Sequence, residues 1–337
     1  MTIDTRLSQL NTWLATLASK WSLQLDSLVP ASSDASFRRY FRVNSGSSSL
    51  IIMDAPPSHE DSKPFIHVAK IFLDAGLNVP KVLEADLEQG FLLLSDLGNQ
   101  TYLSALNPQS APKLYEDATA ALIKMQIASK TNYLPNYDKA LLSKELMLFP
   151  EWYLQKHLGM ELSNTQTAEL QQVFDAILGN NLAQAPVWVH RDYHSRNLMV
   201  TDDQNPGVLD FQDAVYGPIT YDLASLFRDA YIEWEEQEQM DWLIRYWEQA
   251  RKAKLPVQDQ FGEFYKDFEW MGLQRHLKVL GIFARLYHRD GKDAYLQNIP
   301  LVLKYTKKVA ERYISFKPLV RLLDAAEGIQ RPDGLTF

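Results

Sequence analysis

Cysteine is absent from this chain of 337 residues, which excludes disulfides, thiolate metal sites and a cysteine nucleophile at once and suits a reducing compartment. No run reaches the length of apolar sequence that a membrane-spanning helix needs, so none is expected. The start, MTIDTRLSQLNTWLATLASKW, lacks the basic residues and continuous apolar core of a signal peptide. It reads instead as an amphipathic helix capped by Asp4, with Leu7, Leu10, Leu14 and Leu17 on one stripe. A basic excess is missing too. The 34 Lys and Arg face 42 Asp and Glu, a net charge of -8, which argues against a nucleic-acid partner. No internal repeat or low-complexity tract occurs. These absences leave a cytoplasmic protein with no membrane or nucleic-acid partner, a monomer or small homo-oligomer. With 46% hydrophobic residues it folds, and its length allows two domains.

What is present divides by periodicity. Over 28–54 a short strand, a polar loop at 32–36, a strand at 37–43, a turn at 44–48 and a strand at 50–53 make a hairpin pattern. A helix over 64–75, closed by Gly76, and strands over 81–86 and 91–95 complete a small sheet-bearing region. From Ser110 onward, three-and-four spacing predicts helices over 110–129, 143–157, 165–179, 221–237, 239–252, 259–288 and 301–313. Short strands at 187–189, 198–200 and 208–210 interrupt them. The expected class is α+β, with an N-terminal lobe over 1–97, a helical C-terminal lobe over 98–337, and a joint near 98–110.

The interruption carries the chemistry. Residues 190–213 read HRDYHSRNLMVTDDQNPGVLDFQD. His190-Arg191-Asp192 followed by Asn197 fits H-R-D-x-x-x-x-N, and Asp210-Phe211 ends the next apolar run. Phosphoryl transfer asks for a carboxylate beside the attacking hydroxyl, and for an amide and a second carboxylate around Mg²⁺. Asp192 is therefore the candidate base or hydroxyl-orienting group, and Asn197 and Asp210 are the candidate Mg²⁺ ligands. His190 and Asp222 read as braces of the loop rather than as reacting groups. No GxGxxG occurs; the loop 31–36, with Ser33 and Ser36, supplies small hydroxyl residues for backbone N–H donation to ATP phosphates. Leu94, Ser95 and Asp96 end the fifth strand, where a connecting segment offers backbone groups to adenine.

On these segments the chain resembles the aminoglycoside phosphotransferase and choline kinase superfamily, which implies a protein-kinase-like two-lobe fold and the use of ATP and Mg²⁺. Within it, ASSDASFRRYFRV, LIIMDAPPSHED, GFLLLSDLG, GPITYDLASLFRD and GLQRHLKVLGIFARLYHRDGK are similar to bacterial N-acetylmuramate/N-acetylglucosamine kinases. That similarity implies phosphorylation of the anomeric hydroxyl of a cell-wall amino sugar, feeding peptidoglycan recycling. One departure stands out. Met53 occupies the third-strand place where such kinases carry a phosphate-binding lysine, and a thioether cannot donate. Arg38, on the strand face of Tyr40 and Arg42, is the candidate substitute, with Tyr40 against adenine. Arg228, Arg275 and Arg285 are candidates for a lactyl carboxylate, and Trp234 for a sugar face. The acidic run 233–238 leaves open a cationic acceptor such as choline, homoserine or an aminoglycoside, and the missing lysine leaves open a non-catalytic nucleotide-binding regulator.

Overall fold

The computed structural model describes residues 4–32 and 38–329; Ser33 and Ser36 lie outside them. The chain forms two compact units, the first Met1–Ala105 with Asn197–Asp213, the second Leu106–Arg196 with Ala214–Phe337.

The first unit is built on five antiparallel strands, β1 (Leu23–Ser32), β2 (Arg39–Ser45), β3 (Ser48–Asp54), β4 (Val82–Asp86) and β5 (Phe91–Ser95), in the order β1-β2-β3-β5-β4. Ser45 pairs with Ser48, so β2 and β3 join through the two residues Gly46 and Ser47. Gly46 takes φ +59, which favours glycine in such a tight hairpin. Helix α1 (Thr5–Trp21) starts where the Asp4 carboxylate accepts the Leu7 N–H at 3.0 Å. Its leucines 10 and 14 pack with Leu23, Phe41, Val43, Leu50, Ile52, Phe91 and Leu93. Each fully buried side chain of this kind contributes about 1.5–3 kcal/mol.

Charges also fasten α1 to the sheet. Asp54, 0% exposed, accepts from Arg6 Nε at 2.8 Å and from Arg39 Nε and Nη2 at 2.9 and 2.6 Å, while Arg39 Nη1 reaches Asp4 at 2.6 Å. Helix α2 (Lys63–Asp74) has Pro64 in its first turn, where no N–H is needed, and ends before Gly76 at φ +81. Its Phe65 and Phe72 lie 4.8 and 5.9 Å, ring to ring, from the fully buried Phe211, which anchors the segment around Asp210. That segment pairs Leu198–Met199 with Gly207–Val208, and the Val208 N–H donates to the Asn78 carbonyl at 2.7 Å. A short helix α3 (Tyr102–Ala105) closes the unit.

The second unit is helical: α4 (Ala111–Ile127), α5 (Lys139–Leu146), α6 (Asn164–Ala183), α7 (Tyr221–Phe227), α8 (Glu236–Lys252), α9 (Phe261–Asp290), α10 (Ile299–Arg312) and α11 (Lys317–Ala326). One two-stranded ladder, Pro186–Val189 with Val215–Pro218, holds the approach to Asp192; the strand at 215–218 gave no periodicity to find. Two expected helices are broken. The stretch expected over 143–157 becomes α5 followed by a π-helix, Phe149–His157, with Pro150, which lacks an N–H, in its first turn. Here α9 comes very close: a Cβ on Gly281 would meet the Leu148 carbonyl oxygen at 2.3 Å. The helix expected over 221–237 stops at Phe227, because buried Asp229 accepts the N–H groups of Ser195 and Tyr231 at 2.9 and 3.0 Å and holds the chain in a turn. Residues 233–235 are consequently outside α8.

Candidate active site

The expected site residues fall in both units, and each group has its own setting. In the second unit, backbone hydrogen bonds hold the HRD segment. Asp222, 1% exposed at the start of α7, accepts the backbone N–H of His190 at 2.7 Å and of Arg191 at 3.0 Å. Buried His190 Nδ1 takes the Asp192 N–H at 3.2 Å. Arg191 sits at φ +77, a conformation that side-chain-bearing residues rarely adopt. It is held there by Asp222, by Arg275 Nη1 donating to its carbonyl at 2.7 Å, and by its guanidinium on Glu145.

A charge network unseen in the sequence lies beneath. Glu145 of α5 gathers Arg191, the Tyr137 hydroxyl and Lys278, the last at 3.0 Å; Lys278 also donates to the Tyr221 hydroxyl at 3.1 Å. No motif spacing relates residues 145, 191 and 278, so nothing in the sequence could signal them. Arg275 sits 3.4 Å from Asp192 Oδ1. Burial pushes the Asp192 carboxyl up, but Arg275, Lys278, His194 and Arg191 outweigh it and hold the group well below the usual carboxylate range. Its side chain still keeps 40% exposure. The result is an ionised oxygen pair, fixed from behind and accessible in front. Asp222 shifts the opposite way: burial raises it to about 7, against the pull of its two N–H bonds.

In the first unit, Asn197 and Asp210 are together, Asn197 Nδ2 donating to Asp210 Oδ2 at 3.3 Å. Gln212 Nε2 donates to the other carboxylate oxygen at 2.8 Å. Asp210 is exposed and takes φ +61, which aspartate tolerates better than most residues. An amide oxygen and a carboxylate are hard donors of the kind Mg²⁺ takes. No cluster of three or more His, Cys, Asp or Glu able to hold a metal occurs among the described residues. A cation held by this pair would take its remaining ligands from substrate phosphates and water.

Several expected contacts are occupied by the protein itself. Asp96 is engaged by Arg42 Nε at 2.5 Å, Ser49 at 2.7 Å and the Gly98 N–H at 2.9 Å, so it braces the chain after β5. The Ser95 N–H donates to Lys81 at 3.0 Å, and buried Leu94 pairs with Ile51 and Val82 within the sheet. Met53 is fully buried between Tyr40 and Leu92 in the ladder; Tyr40 is half-buried on the face away from Phe41. Arg38 precedes β2 and pairs with Glu60 at 3.0 Å.

Arg228 and Trp234 do not present themselves for a sugar. Arg228, 4% exposed, pairs with buried Glu269 at 3.0 Å, and a buried ion pair is not given up for a solvated ligand at low cost. Trp234 donates Nε1 to the Tyr115 hydroxyl at 2.8 Å and packs edge-on to Tyr115 and Trp242 in the core. Both positions satisfied a helical pattern that does not separate an inward face from a cleft face. Arg275 is committed to Asp192 and to the Arg191 carbonyl, as a positioning group.

The chain matches the model of the phosphotransferase enzyme family over residues 27–259. It is 48% identical to the N-acetylmuramate/N-acetylglucosamine kinase of Pseudomonas aeruginosa, over 96% of this chain and 97% of that one. It is 48% identical to the protein of the same description from Neisseria meningitidis, over 98% and 99%. Among solved structures it is similar to a choline kinase from Streptococcus pneumoniae, at 14% identity and a TM-score of 0.60 over 88% of this chain and 99% of that one. It is also similar to an ADP-bound aminoglycoside phosphotransferase, at 14% and 0.56 over 88% and 97%. The two structures speak for the fold alone, which is kinase-like: an antiparallel sheet toward the N-terminus and helices beyond.

Proposed function

Because the chain belongs to the phosphotransferase enzyme family, we propose that it transfers the γ-phosphoryl group of ATP to the anomeric hydroxyl of an amino sugar, N-acetylmuramate or N-acetylglucosamine. The sugar 1-phosphate formed suits a nucleotidyltransferase in cytoplasmic peptidoglycan recycling. The nucleotide is taken by residues 1–97 with the Asn197–Asp210 pair, and the sugar by the helical remainder. The observation that carries the phosphoryl-transfer reading is Asp192, ionised by surrounding cations yet accessible.

Asp192 orients the acceptor hydroxyl and takes its proton late, since a carboxylate of depressed pKa is a weak base but a strong hydrogen-bond acceptor. Arg275 and the Glu145 network hold that carboxylate in one orientation. Asn197 and Asp210 would hold Mg²⁺, which when bound supplies charge neutralisation on phosphate oxygens. Arg38, paired with Glu60, supplies the cation that Met53 lacks. Two glutamates of the acidic run that suggested a cationic acceptor are paired within the chain, Glu233 with Lys304 and Glu236 with Lys308 and Arg312.

Incubation with ATP, Mg²⁺ and a sugar panel, read by ADP release, tests the proposal. Turnover of N-acetylmuramate or N-acetylglucosamine is expected, and none of the methyl glycoside blocked at C1. Turnover of choline or kanamycin alone, or no ADP release with any acceptor, would overturn it.

A further inference from the structure

Ion pairing sorts the arginines of the second unit. Among the described residues, Arg191, Arg228, Arg245, Arg251, Arg275, Arg289, Arg312 and Arg321 each have a carboxylate partner. Arg196 and Arg285 have none. Arg285 is half-buried on α9, and its neighbours on that helix face, Gly281 and His288, abut Leu148 and His157 of the π-helical region. It lies seven residues beyond Lys278 on that helix, about 10 Å further along the axis and toward the π-helical region.

Arg196 is different in kind. It is exposed, four residues past Asp192, and its guanidinium carbon lies over the Tyr231 ring, 3.7 Å from the centroid, and 5.9 Å from that of Tyr295. Tyr231 in turn packs edge-on against His194 at 5.3 Å, and the His194 N–H donates to the Asp192 carbonyl at 3.0 Å. The nearby carboxylate of Asp229 is turned inward onto the Ser195 and Tyr231 N–H groups, so it does not neutralise the arginine. A guanidinium stacked on an aromatic ring keeps its in-plane N–H fork open and loses little freedom on binding an anion. Tyr231 and His194 link the fork to the Asp192 backbone.

Resting on the function proposed above, we infer that Arg196 is a specificity-determining residue: it takes the lactyl carboxylate of N-acetylmuramate, the group that N-acetylglucosamine lacks. Tyr231 and Tyr295 pre-orient it. The same enzyme then accepts both sugars, with a charge-assisted pair added for the acidic one.

The experiment compares wild type with Arg196→Gln and Arg196→Lys on N-acetylmuramate, its lactyl methyl ester and N-acetylglucosamine. For Arg196→Gln the ratio of kcat/KM for N-acetylmuramate to that for N-acetylglucosamine should fall by roughly tenfold or more, through KM. Arg196→Lys, which keeps the charge but not the fork, should fall between. On the methyl ester, wild type and Arg196→Gln should be alike. An unchanged ratio, an equal loss on both sugars, or a rise in the KM for ATP shared by both would overturn the assignment. Failure of the wild type to phosphorylate either sugar would overturn the function itself.

Discussion

Asp192 and Asp210 carry the same functional group in opposite surroundings. Asp192, in the helical unit, is ringed by cations: Arg275 at 3.4 Å, with Arg191 and Lys278 behind. Asp210, in the sheet unit, is exposed and accepts from the side-chain amides of Asn197 and Gln212. Guanidinium and ammonium groups meet the first carboxylate, and side-chain amides bond to the second. A group that orients a hydroxyl must be ionised before substrate arrives, whereas a metal ligand gains its counter-charge with the metal.

The contrast can be broken most severely at Asp192. Asp192→Asn should lower kcat by roughly 10³-fold, within the range for loss of a positioned acid–base group, with ADP binding by calorimetry nearly unchanged. Retained turnover would remove its role. At the other end, Asp210→Asn should shift the Mg²⁺ concentration for half-maximal rate upward by at least about tenfold. An unshifted Mg²⁺ titration would make the Asp210 carboxylate something other than a ligand.

Asp222 sharpens the comparison through stability. Asp222→Ala leaves two buried N–H groups without their acceptor, a cost of about 2–4 kcal/mol read by urea unfolding. The pH dependence has a definite sign. The Asp222 carboxyl stands at about 7 folded against an ordinary 3.8, so its contribution is whole below pH 3.8 and lost as pH rises to about 7. Wild-type stability relative to Asp222→Asn should therefore decline between those values and then level off; a flat or rising difference would contradict the shift. Smallest is Arg38→Ala, expected to raise the KM for ATP several-fold with the sugar KM unchanged, read by initial rates.

The sequence made the candidate groups legible because phosphoryl transfer constrains residue type and local spacing: Asp192, Asn197 and Asp210 lie within one stretch. Helix α1, its Asp4 cap and the β2–β3 hairpin were legible for the same reason, each depending on neighbours along the chain. What escaped depends on distance. Glu145 and Lys278 support Arg191 from α5 and α9, and periodicity is blind to such partners. Arg228 and Trp234 were misplaced because amphipathic spacing marks a buried stripe without saying whether it meets core or ligand. The break at Phe227 followed from Asp229 bonding the backbone of Ser195, a long-range contact that overrode local helix propensity.

The fastening of α1 has its own consequence for handling the molecule. Asp54 has no access to water and depends on Arg6, a residue near the very start of the chain, together with Arg39. Shortening the chain past residue 6 would remove one of two counter-ions from a sealed carboxylate in the strand that carries Met53. Trimming of that kind would weaken the sheet at β3, its central strand.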